Sequence, residues 1–269
     1  MISLVTATYG RVKEVDRLLD SLSKQTCKNF ELILVDQNEH NLLKGIVEKY
    51  EHVFPIKYIR SAKKGLSYNR NIGLKECRGD IVGFPDDDCI YDNSVVQTVY
   101  NFFMSNMGTK IVATKVNDID SGLSFINTDN YYFSRKNVLK YCISYNVFIR
   151  LKNIILFDEK MGVGAYWGSG EETDYLWELM SLTENGAFIS NVAISHPKNS
   201  SSKNIRRAYS YGLGFGALFK KEILYRKHLG YISLFVYHLI RTVGGCVIGP
   251  NRSFYYHTLL GRIKGFYLY

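Results

Sequence analysis

The stretch "FELILVDQNEH", residues 30–40, places an apolar run of strand length directly before a cluster of polar residues. A run that is apolar on both faces predicts a strand covered by helices on both sides, which is the environment of a parallel sheet. A second run of this kind spans residues 2–7. Between the two runs, apolar residues recur at helical spacing at Val15, Leu18, Leu19 and Leu22. Together these residues predict one β-α-β unit.

The same alternation continues to about residue 103. The sequence predicts, in order, a helix around 42–47, a strand at 56–59, a helix opened by "GLSYNRNIGL", a strand at 81–84 and a helix at 95–103. We therefore expect an α/β fold with a mostly parallel sheet and helices on both faces. Because no internal repeat or clear linker interrupts residues 1–195, we predict one domain there and a helical C-terminal extension over 196–269.

Polar residues gather where four of these elements end or begin. The segments are "TATYGR" (6–11), "DQNEH" (36–40), "SAKKGLSYNRN" (61–71) and "PDDDC" (85–89). Ligands of open parallel sheets bind beyond the carboxyl ends of the strands. We expect the four segments to converge on one cleft.

The composition is that of a globular protein, since 46% of the 269 residues are hydrophobic. The five cysteines include no CxxC pair, which favours neither a disulfide framework nor a cysteine zinc site. The first residues, "MISLVTATYG", are typical of a strand and not of a secretion signal. We expect a cytoplasmic protein.

The net charge of +9 is concentrated in the tail, because residues 196–269 contain twelve Lys or Arg and one acid. A basic, aromatic tail fits nucleic acid, an anionic membrane or phosphorylated substrates. Residues 230–249 have the length to cross a bilayer, but His238 and Arg241 lie in the middle of the segment. We favour helices that lie at the inner face of the cell membrane as a peripheral contact. A soluble subdomain packed on the rest of the chain and a homodimer contact remain alternatives.

Three consecutive carboxylates, Asp86, Asp87 and Asp88, follow the strand predicted at 81–84. Like charges this close repel one another unless a cation neutralises them or solvent screens them. Carboxylate oxygens suit Mg²⁺ or Mn²⁺, ions that commonly also hold nucleotide phosphates. In such a turn Asp86 and Asp88 can share one side while Asp87 points away. A solvated acidic turn is the alternative.

The segments "TATYGR", "LILVDQ", "GLSYNRNIG", "GFPDDDC" and "GSGEETDYL" occur in the order in which similar segments occur in family 2 glycosyltransferases of the GT-A fold, and residues 1 to about 200 resemble that family. The resemblance implies a metal-dependent, inverting transfer from a nucleoside diphosphate sugar, most often a UDP-sugar. The implied acceptor is a glycan, often linked to a polyprenyl diphosphate, in capsule, O-antigen or exopolysaccharide synthesis. The resemblance also implies Asp88 as a metal ligand, with His196 completing the metal site. It implies that the nucleotide sugar is bound by Thr6, Thr8, Tyr9, Arg11, Asp36, Gly65, Arg70, Asn71, Asp86 and Asp87.

The segment "GSGEETDYLWELM" supplies candidate acids for the reaction. Its pattern places Glu172 on the inward stripe of a helix, together with Leu176, Leu179, Met180 and Thr183. Inverting transfer needs a general base for the acceptor hydroxyl, and we expect Glu172 in that role, with Glu171 or Asp174 orienting acceptor hydroxyls. The alternative is structural, because Ser169 and Glu172 have the spacing of a capping box.

Two glycine-rich or basic segments follow. The cations Lys203, Arg206 and Arg207 are expected to close over the donor diphosphate, the alternative being a solvated basic loop. The segment "YGLGFG" (211–216) has the wrong glycine spacing for a dinucleotide-binding turn, so it predicts close helix packing instead.

Three other functions remain open from the sequence. One is a dTDP-sugar-dependent rhamnosyltransferase, and another is a non-catalytic protein that binds nucleotides or nucleic acid through its tail. The third is a nucleotidyltransferase, although the usual glycine-rich, basic loop after the first strand is missing. The favoured function requires a sugar nucleotide and no nucleic acid.

Overall fold

A computed structural model describes residues 1–129, 131–181, 184–198 and 204–269. The chain forms two compact units. The first unit consists of Met1–Lys64, Tyr68–Leu156 and Leu176–Lys198, and the second of Gly65–Ser67, Phe157–Tyr175 and Asn199–Tyr269. The segment 157–175 is thus grouped with the C-terminal helices. The predicted boundary near residue 195 stays a prediction.

The first unit is built on a ten-stranded sheet. Its main path has the order β3-β2-β1-β4-β9-β6-β10-β5, with β7 beside β6 and β8 beside β10. The strands are β1 Ile2–Thr8, β2 Phe30–Asp36, β3 Ile56–Arg60, β4 Ile81–Gly83, β5 Ile90–Tyr91, β6 Ile111–Asp118, β7 Ser124–Ile126, β8 Tyr132–Ser134, β9 Val147–Arg150 and β10 Asn185–His196.

The parallel part of the sheet is the part that the sequence predicted. Strands β3, β2, β1 and β4 run parallel, and the register pairs Thr8 with Asp36 at their carboxyl ends. The helices before residue 110 are α1 Lys13–Ser23, α2 Lys44–Tyr50, α3 Leu66–Leu74 and α4 Val95–Ser105. The apolar stripe of α1 is fully buried, as its 3.6-residue spacing requires. The predicted strands and helices of this region are confirmed.

The remaining strands make the sheet mixed. Strand β9 lies between β4 and β6 and is antiparallel to both, whereas β10 runs parallel to β6. The short helix α5 Val138–Tyr141 and the single turn Ser144–Asn146 precede β9. Because β10 pairs with β6, its last residue, His196, lies in the sheet of the first unit.

The second unit is mainly helical. It contains the start of α6 (Glu171–Leu179), then α7 Ile205–Lys220, α8 Ile232–Ile248 and α9 Arg252–Leu268, and a π-helical turn at Lys221–Tyr225 extends α7. A Cβ atom on Gly212 would lie 2.5 Å from the Thr258 carbonyl oxygen, and one on Gly265 would lie 2.1 Å from the Leu213 carbonyl oxygen. Only glycine permits this approach of α7 and α9, so the interpretation of "YGLGFG" as a packing element is confirmed.

The outward faces of α8 and α9 are apolar. Exposed side chains recur along them at helical spacing: Ile232, Val236, Ile240, Val243 and Val247 on α8, and Tyr256, Leu260, Ile263 and Tyr267 on α9. Over Leu229–Ile248 the mean hydropathy is 1.5, and 17% of the apolar 18-residue stretch within it is buried. By length and composition alone, this helix could cross a membrane.

Candidate active site

The acidic turn lies directly after β4, at the carboxyl end of the parallel strands. Asp88 Oδ1 is 3.0 Å from His196 Nε2, and Asp86 Oδ2 is 3.8 Å from the same nitrogen. The ligand atoms that these three residues offer lie within 4.8 Å of one another. Strand β10 contributes His196 and the turn after β4 contributes the acids, so the sheet itself sets their spacing.

The imidazole of His196 is fixed on two sides. Its Nδ1 lies 2.8 Å from the Pro197 carbonyl oxygen, which can only accept, so Nδ1 carries the proton. The ring is stacked on Tyr145 with a centroid distance of 4.3 Å and an interplanar angle of 4°. Nε2 is therefore held towards the acids, which is how a protein prepares a histidine for a metal ion.

The carboxylate of Asp88 also fits a cation. Its Oδ1 is buried and, among the described residues, has no hydrogen-bond donor, because His196 Nε2 approaches it closely but not in hydrogen-bond geometry. Burial raises the pKa of Asp88, but His196 and Arg11 lower it by more, so its pKa lies below the ordinary value. The pKa of His196 is lowered by burial and raised by more by the carboxylates of Asp88 and Asp86, and the net direction is upward. An ionised, buried oxygen beside a fixed imidazole is a donor set that suits a divalent ion.

The protein supplies cations of its own to the same turn. Arg11 Nη1 contacts Asp88 Oδ2 and lies 2.9 Å from Asp87 Oδ1. Arg70, which is only 1% exposed, donates from Nη2 to Asp86 Oδ1 at 2.9 Å. Cations of the protein itself therefore relieve part of the expected repulsion, because two guanidinium groups pair with the three carboxylates.

Asp87 points away from the cluster of Asp86, Asp88 and His196. Its Oδ2 accepts a hydrogen bond of 2.7 Å from the Thr8 hydroxyl, and its other oxygen pairs with Arg11. Burial raises the pKa of Asp87 to about 6, against the lowering effects of the Thr8 hydrogen bond and of Arg11. Asp87 therefore ties the end of β1 to the acidic turn.

Other predicted residues of the first unit take structural contacts. The Thr6 hydroxyl donates to the Pro85 carbonyl oxygen at 3.0 Å, which fixes the approach to the acidic turn. Tyr9 is 52% exposed, and its hydroxyl accepts from Lys64 Nζ at 2.8 Å. Asn71 is buried on α3. Their assigned roles in nucleotide binding stay predictions.

Asp36 is fully buried at the end of β2. Its Oδ1 accepts from the backbone and side-chain nitrogens of Asn38, and its Oδ2 accepts from the Tyr58 hydroxyl at 2.6 Å. Burial first, and then Asp36, raise the pKa of Tyr58. The hydrogen bonds of Asp36 fix the polar loop after β2. The expected contact of Asp36 with the base or ribose stays a prediction.

Two residues of the segment before β9 contribute to the site and were not predicted from the sequence. The Ser144 hydroxyl accepts from Arg70 Nη2 at 2.8 Å, and the adjacent Tyr145 stacks on His196. One short turn therefore supports both a cation and an imidazole of the site. The only sequence signal was the polar triplet "SYN" immediately before the apolar "VFI".

The predicted acids of α6 belong to the second unit up to Tyr175. Asp174 is 4% exposed and pairs with Lys221 Nζ at 2.8 Å and with Arg226 Nη1 at 2.9 Å. Glu171 is buried, and its Cδ lies 3.0 Å from where a Cβ on Gly162 would be. Glu172 is half-buried and is thus the most accessible of the three.

The expected stripe of α6 is seen in part. Leu176 and Met180 are buried and Leu179 is half-buried, whereas Thr183 lies outside the described residues. The Ser169 hydroxyl donates to the Tyr211 carbonyl oxygen at 2.9 Å.

The remaining predicted binding residues also lie in the second unit or outside the description. Gly65 has a φ of 137°, and a Cβ on Gly164 would lie 3.2 Å from its Cα, so the loop around Gly164 packs closely on Gly65. Arg206 is exposed in the first turn of α7. Lys203 lies outside the described residues.

The fold and the polar residues at its strand ends define an α/β protein with a candidate ligand site at the carboxyl edge of the sheet. The family model described as "Glycosyl transferase family 2" matches residues 3–159, which is more than half of the chain. The chain belongs to this family, and its fold is the GT-A fold.

Two curated relatives illustrate the sequence similarity. An uncharacterized glycosyltransferase of Haemophilus influenzae is 29% identical over 129 residues, which are 47% of this chain and 43% of that protein. The Staphylococcus aureus protein TarP, a poly(ribitol-phosphate) beta-N-acetylglucosaminyltransferase, is 25% identical over 115 residues, covering 41% of this chain and 35% of that protein. The matched segments thus span less than half of these relatives.

Solved structures show the same fold at low sequence identity. S. aureus TarS 1-349 in complex with UDP-GlcNAc has a TM-score of 0.59 at 20% identity, over 80% of this chain and 66% of that one. A Pyrobaculum calidifontis mannosyltransferase in complex with GDP-Man and Mn²⁺ has a TM-score of 0.59 at 11% identity, over 82% and 64%.

Proposed function

We propose that this chain is a metal-dependent, inverting glycosyltransferase that uses a UDP-sugar and a glycan acceptor linked to a lipid. The observation that carries the proposal is the convergence of Asp86, Asp88 and His196 within 4.8 Å at the carboxyl end of β4, in a chain of glycosyl transferase family 2. The UDP-GlcNAc complex of TarS supports a UDP-sugar as donor. The GDP-Man and Mn²⁺ complex of the mannosyltransferase supports a divalent ion.

Asp86, Asp88 and His196 would hold Mn²⁺ or Mg²⁺. When bound, such an ion supplies a positive charge for the oxygens of a diphosphate. Arg11, which is 43% exposed at its side chain, pairs with Asp88 and Asp87 and offers a second positive charge to the donor. Arg70 is buried and holds Asp86 in place. Its role is therefore to orient the carboxylate that would hold the metal ion, and it does not itself reach the donor.

We assign the general base to Glu172. Direct displacement at the anomeric carbon requires a group that takes the proton of the attacking acceptor hydroxyl. Asp174 is committed to two cations and Glu171 is buried, whereas Glu172 is accessible. Arg206 and Lys203 keep the proposed role of cations for the leaving diphosphate.

We further propose that the protein works at the cytoplasmic face of the cell membrane in surface polysaccharide synthesis. The exposed apolar stripes of α8 and α9, flanked by the basic residues of the tail, support contact with an anionic bilayer. The named polymer glycosyltransferase among the relatives supports a polymer as the product.

A donor panel tests the proposal. Nucleotide sugars are incubated with the full chain and Mn²⁺, and the released nucleotide diphosphate is measured. We expect turnover of a UDP-sugar, and we expect EDTA to abolish this turnover. The Asp88→Asn variant is expected to release nucleotide diphosphate at least 100-fold more slowly. The matched control is Asp80→Asn, because Asp80 precedes the same strand and its side chain is 87% exposed. Release of dTDP from a dTDP-sugar alone would identify the rhamnosyltransferase instead, and no turnover of any donor would overturn the proposal.

A second pair of variants tests the general base. Glu172→Gln is expected to lose transfer to acceptor while it retains UDP affinity, since the change removes a proton acceptor without altering size. Glu178→Gln is the control on the exposed side of the same helix. Equal transfer by the two variants would remove Glu172 from the reaction.

A further inference from the structure

A cavity of about 270 Å³ lies within the second unit, between α7, α9 and the residues that lead into α6. Its volume is close to the roughly 300 Å³ at which ligand pockets of proteins begin. Six of its lining residues carry the argument, namely Ser169, Arg207, Tyr211, Phe215, Phe254 and Arg262.

Two guanidinium groups line this cavity, and neither has an acidic partner in the described ranges of the chain. Among the described residues, no carboxylate lies within 4.0 Å of a nitrogen of Arg207 or Arg262. Residues 204–269 contain a single acid, Glu222, which is fully buried and pairs with Arg226 and His228. The cavity therefore has a surplus of positive charge.

Arg262 is the more constrained of the two cations. Its Nη1 donates to the His238 carbonyl oxygen at 2.8 Å and contacts Thr242 Oγ1, and its guanidinium lies 4.2 Å from the centroid of Phe215. Its Nε is buried and, in the described part of the chain, has no acceptor. Burial, together with Arg241, lowers the pKa of Arg262 to about 10. Arg262 is half-buried as a whole, and a cation with a buried donor that lacks an acceptor is costly unless an anion joins it.

Arg207 completes the arrangement from the neighbouring helix. Its Nη2 donates to the Tyr211 hydroxyl at 2.7 Å, and its guanidinium lies 4.8 Å from the centroid of that ring. The contact holds the side chain along the cavity wall and leaves its other N–H groups for a ligand. Guanidinium groups bind phosphate through paired hydrogen bonds, which an isolated ammonium cannot do.

The rest of the lining is apolar or already satisfied. Phe215 and Phe254 supply aromatic surface. Among the hydroxyls of the lining, Ser169 donates to the Tyr211 carbonyl oxygen and Thr258 donates to the Phe254 carbonyl oxygen, whereas the Tyr211 hydroxyl accepts from Arg207. A sugar would bury many hydroxyls without partners here, at a cost for each unmade hydrogen bond. A single anionic group attached to an apolar chain matches the lining better.

We propose that this cavity binds the phosphate of a lipid-linked acceptor, that is, a phosphate ester of a long apolar alcohol. The inference rests on the proposed glycosyl transfer and names the class of its acceptor. Two features of the second unit support it. The exposed apolar faces of α8 and α9 offer a surface for the lipid chain. Ser169 lines the cavity two residues before α6 begins, so a bound phosphate lies next to the segment that carries Glu171 and Glu172.

The test measures binding of octyl phosphate to the full chain by titration calorimetry, without a nucleotide sugar. Inorganic phosphate and octyl glucoside are titrated beside it. We expect octyl phosphate to bind, inorganic phosphate to bind at least tenfold more weakly, and octyl glucoside not to bind. Equal affinity for inorganic phosphate would overturn the lipid part of the proposal, and no binding of octyl phosphate would overturn all of it. Dihexanoyl phosphatidylglycerol represents a bilayer lipid, and tighter binding of it than of octyl phosphate would overturn the acceptor assignment.

Variants locate the binding site. Arg262→Gln is expected to weaken octyl phosphate binding by about tenfold or more, the effect of losing a charge-assisted hydrogen bond. Lys264→Gln removes the same charge from an exposed position of α9 and is expected to change affinity less than twofold. Because Arg262 also contacts α8, Arg207→Gln provides a second variant whose described side-chain contact is Tyr211 alone. Equal binding by Arg207→Gln and Lys264→Gln would place the ligand elsewhere.

The same preparations distinguish this inference from the proposed function. Metal-dependent hydrolysis of a UDP-sugar is measured in each. Hydrolysis without binding of octyl phosphate would overturn the inference alone. Binding of octyl phosphate without hydrolysis of any nucleotide sugar would overturn the proposed function and, with it, the identity of the ligand as an acceptor.

Discussion

Helices α7 and α9 approach each other so closely that there is no room for a methyl group at Gly216. A Cβ atom there would lie 2.1 Å from the Arg262 carbonyl oxygen and 2.6 Å from the Phe266 backbone nitrogen. Both neighbours are backbone atoms, so no rotamer change relieves the contact. Non-bonded heavy atoms need about 3.5 Å, so Gly216→Ala would require α7 and α9 to separate by roughly 1.4 Å at this point.

The free energy has two opposing parts. Alanine favours a helix over glycine by about 1 kcal/mol. Overpacking costs about 1 to 3 kcal/mol, and the upper end applies because the separation also loosens the other close glycine contacts of the same helix pair. We expect Gly216→Ala to lower the free energy of opening of the second unit by about 2 kcal/mol.

Gly244 in α8 provides the matched control. A Cβ atom on Gly244 would have no neighbour within 4 Å, so only the helix preference remains. Gly244→Ala is expected to stabilise by about 0.5 to 1 kcal/mol. Hydrogen exchange of the amides of α7 and α9 measures the opening free energy of this unit directly, without assuming that both units unfold together. If Gly216→Ala protected these amides as well as Gly244→Ala does, the close packing inferred for the two helices would be wrong.

Four further predictions concern the site and the tail. Tyr145→Leu removes the ring stacked on His196 and is expected to weaken Mn²⁺ binding about tenfold in calorimetry, whereas Tyr145→Phe keeps it. Asp174→Asn loses a buried carboxylate with two cationic partners and should lower stability in urea by about 2 kcal/mol, a reduced cost because each partner retains a second acid. Ile240→Asp should reduce flotation with anionic vesicles at least tenfold, while Leu42→Asp, at an exposed site in the first unit, should not. Chelation of metal should stop turnover and leave the melting temperature within about 2 °C, because the carboxylates already have arginine partners.

Local patterns were enough to predict the first half of the sheet. The runs that became β1, β2 and β4 are apolar on both faces, and the helices between them have regular stripes, so short-range periodicity predicts both the elements and the parallel direction of the strands. It also placed the acidic turn at the carboxyl end of a strand. These features depend on residues that are neighbours in the sequence, so they can be predicted without knowledge of the tertiary structure.

The contacts that complete the site depend on distant pairing. The turn that carries Ser144 and Tyr145 reaches Arg70 and His196 because β9 lies antiparallel between β4 and β6, and nothing within the turn predicts that register. The family resemblance implied that Arg11 binds the nucleotide sugar and gave no protein partner for it. Its pairing with Asp87 and Asp88 became visible only in the folded chain.

The charge balance of the acidic turn bears on how the site is used. Two arginines and a histidine face three carboxylates, so the turn can fold before a metal ion arrives and does not need one for stability. The imidazole and the buried Asp88 oxygen still face each other without a hydrogen bond, which leaves a place for a cation that the arginines do not fill. Because Arg70 is buried and Arg11 is partly exposed, the first can serve only the acids, whereas the second can also meet the negative charge of a donor. Under the proposed function, a site preformed in this way would bind metal and nucleotide without the ordering cost that a metal-dependent fold would have to meet.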